Sequence, residues 1–127
     1  MKEVMLVFLG GGIGSALRYL VSKSFTGWIS NPFPYSTFAV NIIGCFLIGI
    51  FLTLPEKFNW FNIEYRLFLA TGICGGFTTF STFSYENYAL IKAGDYAYFI
   101  GYTILSFAVG LISTFAGIYL VKKFITV

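Results

Sequence analysis

Gly72-Ile-Cys-Gly-Gly-Phe-Thr-Thr-Phe-Ser-Thr-Phe-Ser-Tyr85 sits inside an apolar segment that runs from about residue 67 to residue 89. A bilayer takes about 20 residues to cross, so the segment is long enough. Yet its middle carries three glycines (Gly72, Gly75, Gly76) and five hydroxyl residues (Thr78, Thr79, Ser81, Thr82, Ser84). Glycine raises the entropic cost of a helix, and Ser and Thr offer the backbone competing hydrogen bonds. In hydrocarbon, freed N–H and C=O groups are tolerated only where protein buries them or where they line a cavity. The stretch therefore predicts a helix broken at mid-membrane, where such breaks build ion and substrate sites. Phe80 and Phe83, three residues apart, are expected to share a face. The plainer alternative is a loosely wound packing helix whose glycines and serines only let its neighbours approach closely.

Composition agrees with a membrane location. Of 127 residues, 57% are hydrophobic and 10% charged, more apolar surface than so small a soluble domain can bury. The chain reads as an all-α integral membrane protein with a single four-helix domain over residues 1–127. Its spans fall at about 4–22, 35–54, 67–89 (the broken one) and 96–121. The first segment passes through Arg18 into Ser22-Lys23 without a small-residue cleavage site, so it is expected to remain as a mature helix. Asn31-Pro-Phe-Pro34 cannot continue a helix and marks a connector, as do the charged residues 55–66 and the turn at 92–95. Cys45 and Cys74 lie in apolar segments and read as small packing residues. The sequence contains no histidine, which excludes a His metal site or His-based catalysis.

The other helices carry their own polar marks. Gly10/Gly14 and Gly11/Ser15 form two ridges of small residues suited to close helix packing. The same run fails as a dinucleotide loop, because Ser15 replaces the last glycine and no strand precedes it. Arg18, near the end of the first span, can snorkel, pair structurally, or lend positive potential to an anion vestibule. Asn41 lies in an apolar span where its amide needs partners, and Thr37 stands one turn away on the same face. Asn41 is thus either interhelical glue or a donor to an ion path. In the last helix Tyr102, Ser106, Gly110 and Thr114 recur every four residues as a polar track.

Taken together, Gly-Gly-x-x-Gly-x-x-x-Arg-Tyr in the first helix, Thr37-Phe-x-Val-Asn41-x-x-Gly44 in the second and Gly72-x-x-Gly-Gly-x-Thr-Thr-Phe-Ser-Thr-Phe83 in the third closely resemble the Fluc (CrcB) fluoride channel family over essentially the full length. The resemblance implies a small antiparallel, dual-topology homodimer in a prokaryotic plasma membrane, exporting fluoride passively through two pores. It implies that Phe80 and Phe83 line the pore, that Asn41 supplies the amide donor in the ion path, and that Ser81, Thr82, Tyr102 and Ser106 contribute hydroxyls; Thr37, one turn from Asn41, is expected within reach of the same path. It further implies a central structural Na⁺ held by backbone carbonyls of Gly75 and Thr78. Arg18 and Glu86 stand as vestibule or structural residues. Gly110 departs from the expected hydroxyl, leaving the lower track to Thr114 or Ser113.

The chemistry is coherent with that reading. Fluoride is small and strongly hydrated, so a dry path must replace its water with hydroxyl and amide donors and with electropositive aromatic edges. Of the five acidic residues only Glu86 lies inside a predicted span, close to its end. A proton-coupled drug exporter of similar size would need a carboxylate nearer the membrane centre, and an embedded enzyme would need a nucleophile–base pair, a metal cluster or a phosphate loop. A purely structural subunit would leave the polar break without a purpose. Basic residues divide almost evenly, with Lys2, Lys57, Arg66, Lys122 and Lys123 on one side against Arg18, Lys23 and Lys92 on the other. Such a split orients a chain weakly, which suits insertion in both directions.

Overall fold

The computed structural model describes residues 1–27 and 30–126. Helix α1 spans Lys2–Phe25, α2 spans Tyr35–Thr53, and a single 3₁₀ turn, Leu54–Glu56, ends the second crossing. The third crossing is divided. Residues 63–77, here α3, join an α turn Ile63–Arg66, a π-wound segment Leu67–Cys74 and a last turn Gly75–Phe77; α4 then runs Phe80–Lys92. The chain ends in α5, Tyr96–Phe124. Four stretches are long and apolar enough to cross a membrane, namely Lys2–Phe25, Tyr35–Glu56, Ile63–Lys92 and Tyr96–Phe124. They extend past the bounds expected from hydropathy, because helices continue through the polar interface. At 29 residues α5 is about 44 Å long, against about 30 Å of hydrocarbon. No strand occurs among the described residues.

Local signals set the helix ends. Asn31 Oδ1 accepts the Phe33 N–H (3.1 Å) in the turn before α2, and Pro34 caps that helix. Asn62 Oδ1 accepts the N–H groups of Glu64 (2.9 Å) and Tyr65 (3.4 Å), starting α3. Gly94, at φ +81°, reverses the chain between α4 and α5, where the Asp95 N–H reaches Leu90 O (2.9 Å).

Two glycine-mediated crossings hold the bundle. Along α1, Gly10 and Gly14 lie directly on the backbone of α3. A Cβ at Gly10 would come 2.4 Å from Phe68 O, and one at Gly14 2.1 Å from Ile73 O and 2.8 Å from Phe77 N. From the other side, a Cβ on Gly76 would come 2.3 Å from Gly11 O. The second crossing joins α2 to α5, where Gly49 would clash with Thr114 O (2.3 Å) and Gly117 with Phe46 O (2.3 Å). The core is correspondingly thin, with Val40, Tyr102 and Val121 the largest fully buried side chains. Phe8 and Phe115 remain mostly exposed, as lipid-facing residues should.

These contacts make one prediction. Gly14→Ala sets a methyl against backbone atoms that cannot rotate away, and should cost the upper part of the about 1–3 kcal/mol typical of overpacking. Gly12→Ala, with nothing within 4 Å, should be close to neutral. Thermal unfolding of both variants in detergent checks the pair; equal midpoints would refute the close crossing.

Within the glycine- and hydroxyl-rich stretch the break does not fall on Gly75-Gly76. Both glycines are helical, and the chain leaves helical geometry at Thr78 (φ −84°, ψ 158°) and Thr79 (φ −152°, ψ 120°). Gly76 is explained by its approach to Gly11, and the interruption falls on the hydroxyl pair that follows.

Candidate functional site

The two extended residues release backbone groups, and the fold assigns partners to several of them. The Thr79 N–H, which would have bonded Gly75 O in a continuous helix, donates to Asn41 Oδ1 (2.9 Å), while Asn41 Nδ2 donates to Thr79 O (3.2 Å). One amide from α2 thus takes up the N–H that the break frees and adds a bond to the carbonyl that begins α4. Thr79 Oγ1 accepts the Thr82 N–H (3.2 Å) and so caps α4, which diverts from Thr78 O its donor four residues on. Arg18 Nε donates to Gly76 O (3.1 Å). The guanidinium therefore reaches back from the end of α1 to the break, as a structural partner of a freed carbonyl. Thr78 Oγ1 is turned onto Cys74 O (2.9 Å).

Beside the break lies a cavity of about 570 Å³. Of the residues singled out in the sequence, Asn41, Gly75, Thr78, Phe80, Phe83, Ser106 and Thr114 line it, together with Gly110. The remaining wall is largely apolar, with Ile48, Phe107 and Leu111, and no carboxylate faces the cavity among the described residues. Phe80 and Phe83 stand with ring centroids 5.7 Å apart. Their environments differ, however, since Phe80 is 73% exposed and Phe83 only 8%. Phe83 is held between Tyr102 (4.9 Å) and Phe107 (6.1 Å, edge-on).

The α5 track is partly open to a ligand. Tyr102 is fully buried, and neither its hydroxyl nor Ser106 Oγ has a hydrogen-bond partner in the protein. A buried hydroxyl left so costs about 1–3 kcal/mol, which an occupant able to accept a hydrogen bond would remove. Thr114, by contrast, donates to Cys45 O and Gly110 O (3.2 Å each). Gly110 takes the place of a hydroxyl where α2 passes close by, for a Cβ there would come 3.4 Å from Cys45 Sγ.

Other expected residues fall elsewhere. Thr37 donates to Glu86 Oε1 (2.5 Å) across the α2–α4 contact and does not line the cavity, despite sharing a helix face with Asn41. Tyr102, Ser81 and Thr82 are likewise outside the lining; Ser81 is exposed and Thr82 belongs to the capping turn. Sequence reading missed three groups. Thr79 is the residue that fixes the break, and its position three before Thr82 is the available capping signal. Asn87 Oδ1 and Thr103 Oγ1 are also buried without partners, and Asn87 lies one turn beyond Phe83 on the buried face of α4.

Among the described residues the arrangement offers a hydroxyl and two phenylalanine rings in an apolar setting without fixed negative charge, a chemistry that suits a small desolvated anion. Known proteins give the same direction. A family model described as "CrcB-like protein, Camphor Resistance (CrcB)" matches residues 5–118. A protein of Gloeothece citriformis named "Fluoride-specific ion channel FluC" is 54% identical over 123 residues, covering 97% of this chain and 99% of its own length. Relatives with the same name from Bacteroides fragilis (47% over 127 residues) and Leptospira interrogans (42% over 123 residues) match 98% and 97% of the chain, and 99% and 97% of their own lengths. With the family's pattern present from the first helix to the last, the chain belongs to the CrcB family.

Proposed function

We propose that the protein is a fluoride-selective passive anion channel that lets fluoride leave the cytoplasm of a prokaryote across its plasma membrane. The observation that carries this reading is the cavity at the break, where the rings of Phe80 and Phe83 and the Ser106 hydroxyl meet with no carboxylate in the wall. A fluoride ion gives up its water step by step. The unpartnered Ser106 hydroxyl in the cavity wall takes over hydrogen bonds and the phenylalanine rings supply the electropositive contact, while Tyr102, packed behind Phe83 and outside the lining, joins the path only beyond that ring. Thr37 with Glu86, together with Ser81 and Thr82, belongs to the approach on the α4 side. A dual-topology multidrug-type exporter, the alternative class, would need a carboxylate in the cavity to couple protons to a cation.

The working unit is an antiparallel homodimer. Gly75 and Phe80 are exposed on a single chain beside a stretch of non-helical backbone, a combination that lipid does not accept. A second copy laid against this face covers it. Lys2 pairs with Glu64 (2.6 Å) and Lys122 with Glu56 (3.7 Å), so both pairs reduce the positive charge on the more basic side. Orientation follows the count of Lys and Arg more than net charge, and a split of five against three orients the chain weakly, which suits insertion in both directions. At the dimer centre the carbonyls of Gly75 and Thr78 suit Na⁺. Their donors four residues on, the N–H groups of Thr79 and Thr82, are engaged elsewhere, and neutral oxygens are ligands for a hard cation.

Liposomes reconstituted with the full chain should release fluoride rapidly and retain chloride and a cationic dye; release of the dye without fluoride would replace this reading with the exporter. For topology, Cys45 and Cys74 are replaced and a single cysteine is set at Lys92 or Lys57. A membrane-impermeant maleimide should then label roughly half the molecules at each site in intact cells. Complete labelling at one site and none at the other would rule out dual insertion.

A further inference from the structure

We propose that the connector between α2 and α3 is a lipid anchor that seats Trp60 in the headgroup and upper acyl zone of the bilayer. The connector has six residues, 57–62, between a crossing that ends at Glu56 and one that begins at Ile63. It must leave the membrane edge and return, so even fully extended it rises only about 10 Å. It is not extended. The N–H groups of Lys57 and Phe58 both reach Leu54 O (2.9 Å), the Phe61 N–H reaches Phe58 O (3.2 Å), and the Asn62 N–H reaches Trp60 O (2.9 Å). This folded turn holds its side chains in fixed positions against the membrane surface.

Those side chains are aromatic. Trp60 lies 5.3 Å from Phe58, 6.0 Å from Phe61 and 5.6 Å, edge-on, from Tyr65. Phe61 is buried and stacks on Tyr65 (5.7 Å), providing the fixed base of the cluster. Trp60 is 60% exposed, and its neighbours Ile63 and Tyr65 are exposed too. The contact with Tyr65 decides what covers this surface. Tyr65 belongs to the first turn of α3, so an indole packed on it lies against the start of the crossing helix. The patch includes the exposed Ile63 and Tyr65 and is bordered by the exposed Lys2–Glu64 ion pair, which suits the aqueous edge. An indole has a large apolar face and one N–H donor, the combination that partitions to the interface.

The test uses the full chain carrying Trp28→Phe, which leaves Trp60 as the single tryptophan. It is reconstituted in vesicles whose phosphatidylcholine is brominated either close to the glycerol or close to the chain ends. Fluoride release from the same vesicles shows that the variant is folded, so failure of the anchor and failure of the channel reading are separable. Trp60 emission should be blue-shifted and lose more intensity with the shallow bromines than with the deep ones. Quenching by aqueous acrylamide with none from either lipid would place the indole in water and overturn the proposal. Shielding from both quenchers would mean that protein, such as a second copy, covers it, and would overturn the proposal equally.

Discussion

Phe80→Ile should lower fluoride flux roughly tenfold while leaving the folded protein intact. An aromatic edge contact is worth about 0.5–1.5 kcal/mol beyond its area, and about 1.4 kcal/mol corresponds to a tenfold change. Isoleucine keeps most of the bulk and removes the electropositive edge. Phe80 is the better of the two rings to change, because it is 73% exposed on the single chain and contributes little to its core. Phe83→Ile should reduce flux at least as much, but it also loses packing against Tyr102 and Phe107 and should lower the unfolding temperature. Flux from proteoliposomes, normalised to folded protein by size-exclusion chromatography, measures both. Wild-type flux in both variants would remove the rings from the path.

Asn41 should give the largest combined loss of stability and transport. Its carboxamide satisfies both the N–H and the C=O of Thr79 in the middle of a membrane helix. Asn41→Leu leaves the Thr79 N–H unpaired at about 1–3 kcal/mol and removes a second bond from Thr79 O, a large share of a total stability of about 5–15 kcal/mol. The yield of folded protein should fall steeply. Asn41→Asp keeps an acceptor for the Thr79 N–H, but it offers no donor to Thr79 O and usually adds negative charge beside the path. It should retain more stability than the leucine variant and suppress fluoride flux more than Asn41→Ser, which keeps a donor. If Asn41→Asp conducts like the wild type, no fluoride ion passes close to this side chain.

Much of this fold is legible in the sequence because the relevant signals are local. Four apolar runs long enough to span a bilayer, prolines and glycines between them, and a run of glycines and hydroxyls within the third crossing determine an all-helical membrane protein with one interrupted helix. The small-residue spacing of Gly10 and Gly14 likewise marks the face of α1 that meets α3. The candidate site was legible in part. Phe80, Phe83, Asn41, Ser106 and Thr114 do converge on one cavity, whereas Thr37 does not, although helical periodicity sets it on the face of Asn41.

What tertiary structure alone decided is the fate of each polar group. The break falls at Thr78 and Thr79, because glycine permits unwinding without requiring it, and Gly76 is held helical against Gly11. Asn41 finds its partners 38 positions along the chain, Thr37 finds Glu86 at 49, and Arg18 finds Gly76 O at 58. No window of local sequence contains such pairs. A hydrogen bond depends on angles and distances set by how the helices cross, and in this protein those crossings are fixed where a glycine lies on a neighbour's backbone, with no side chain to announce its partner.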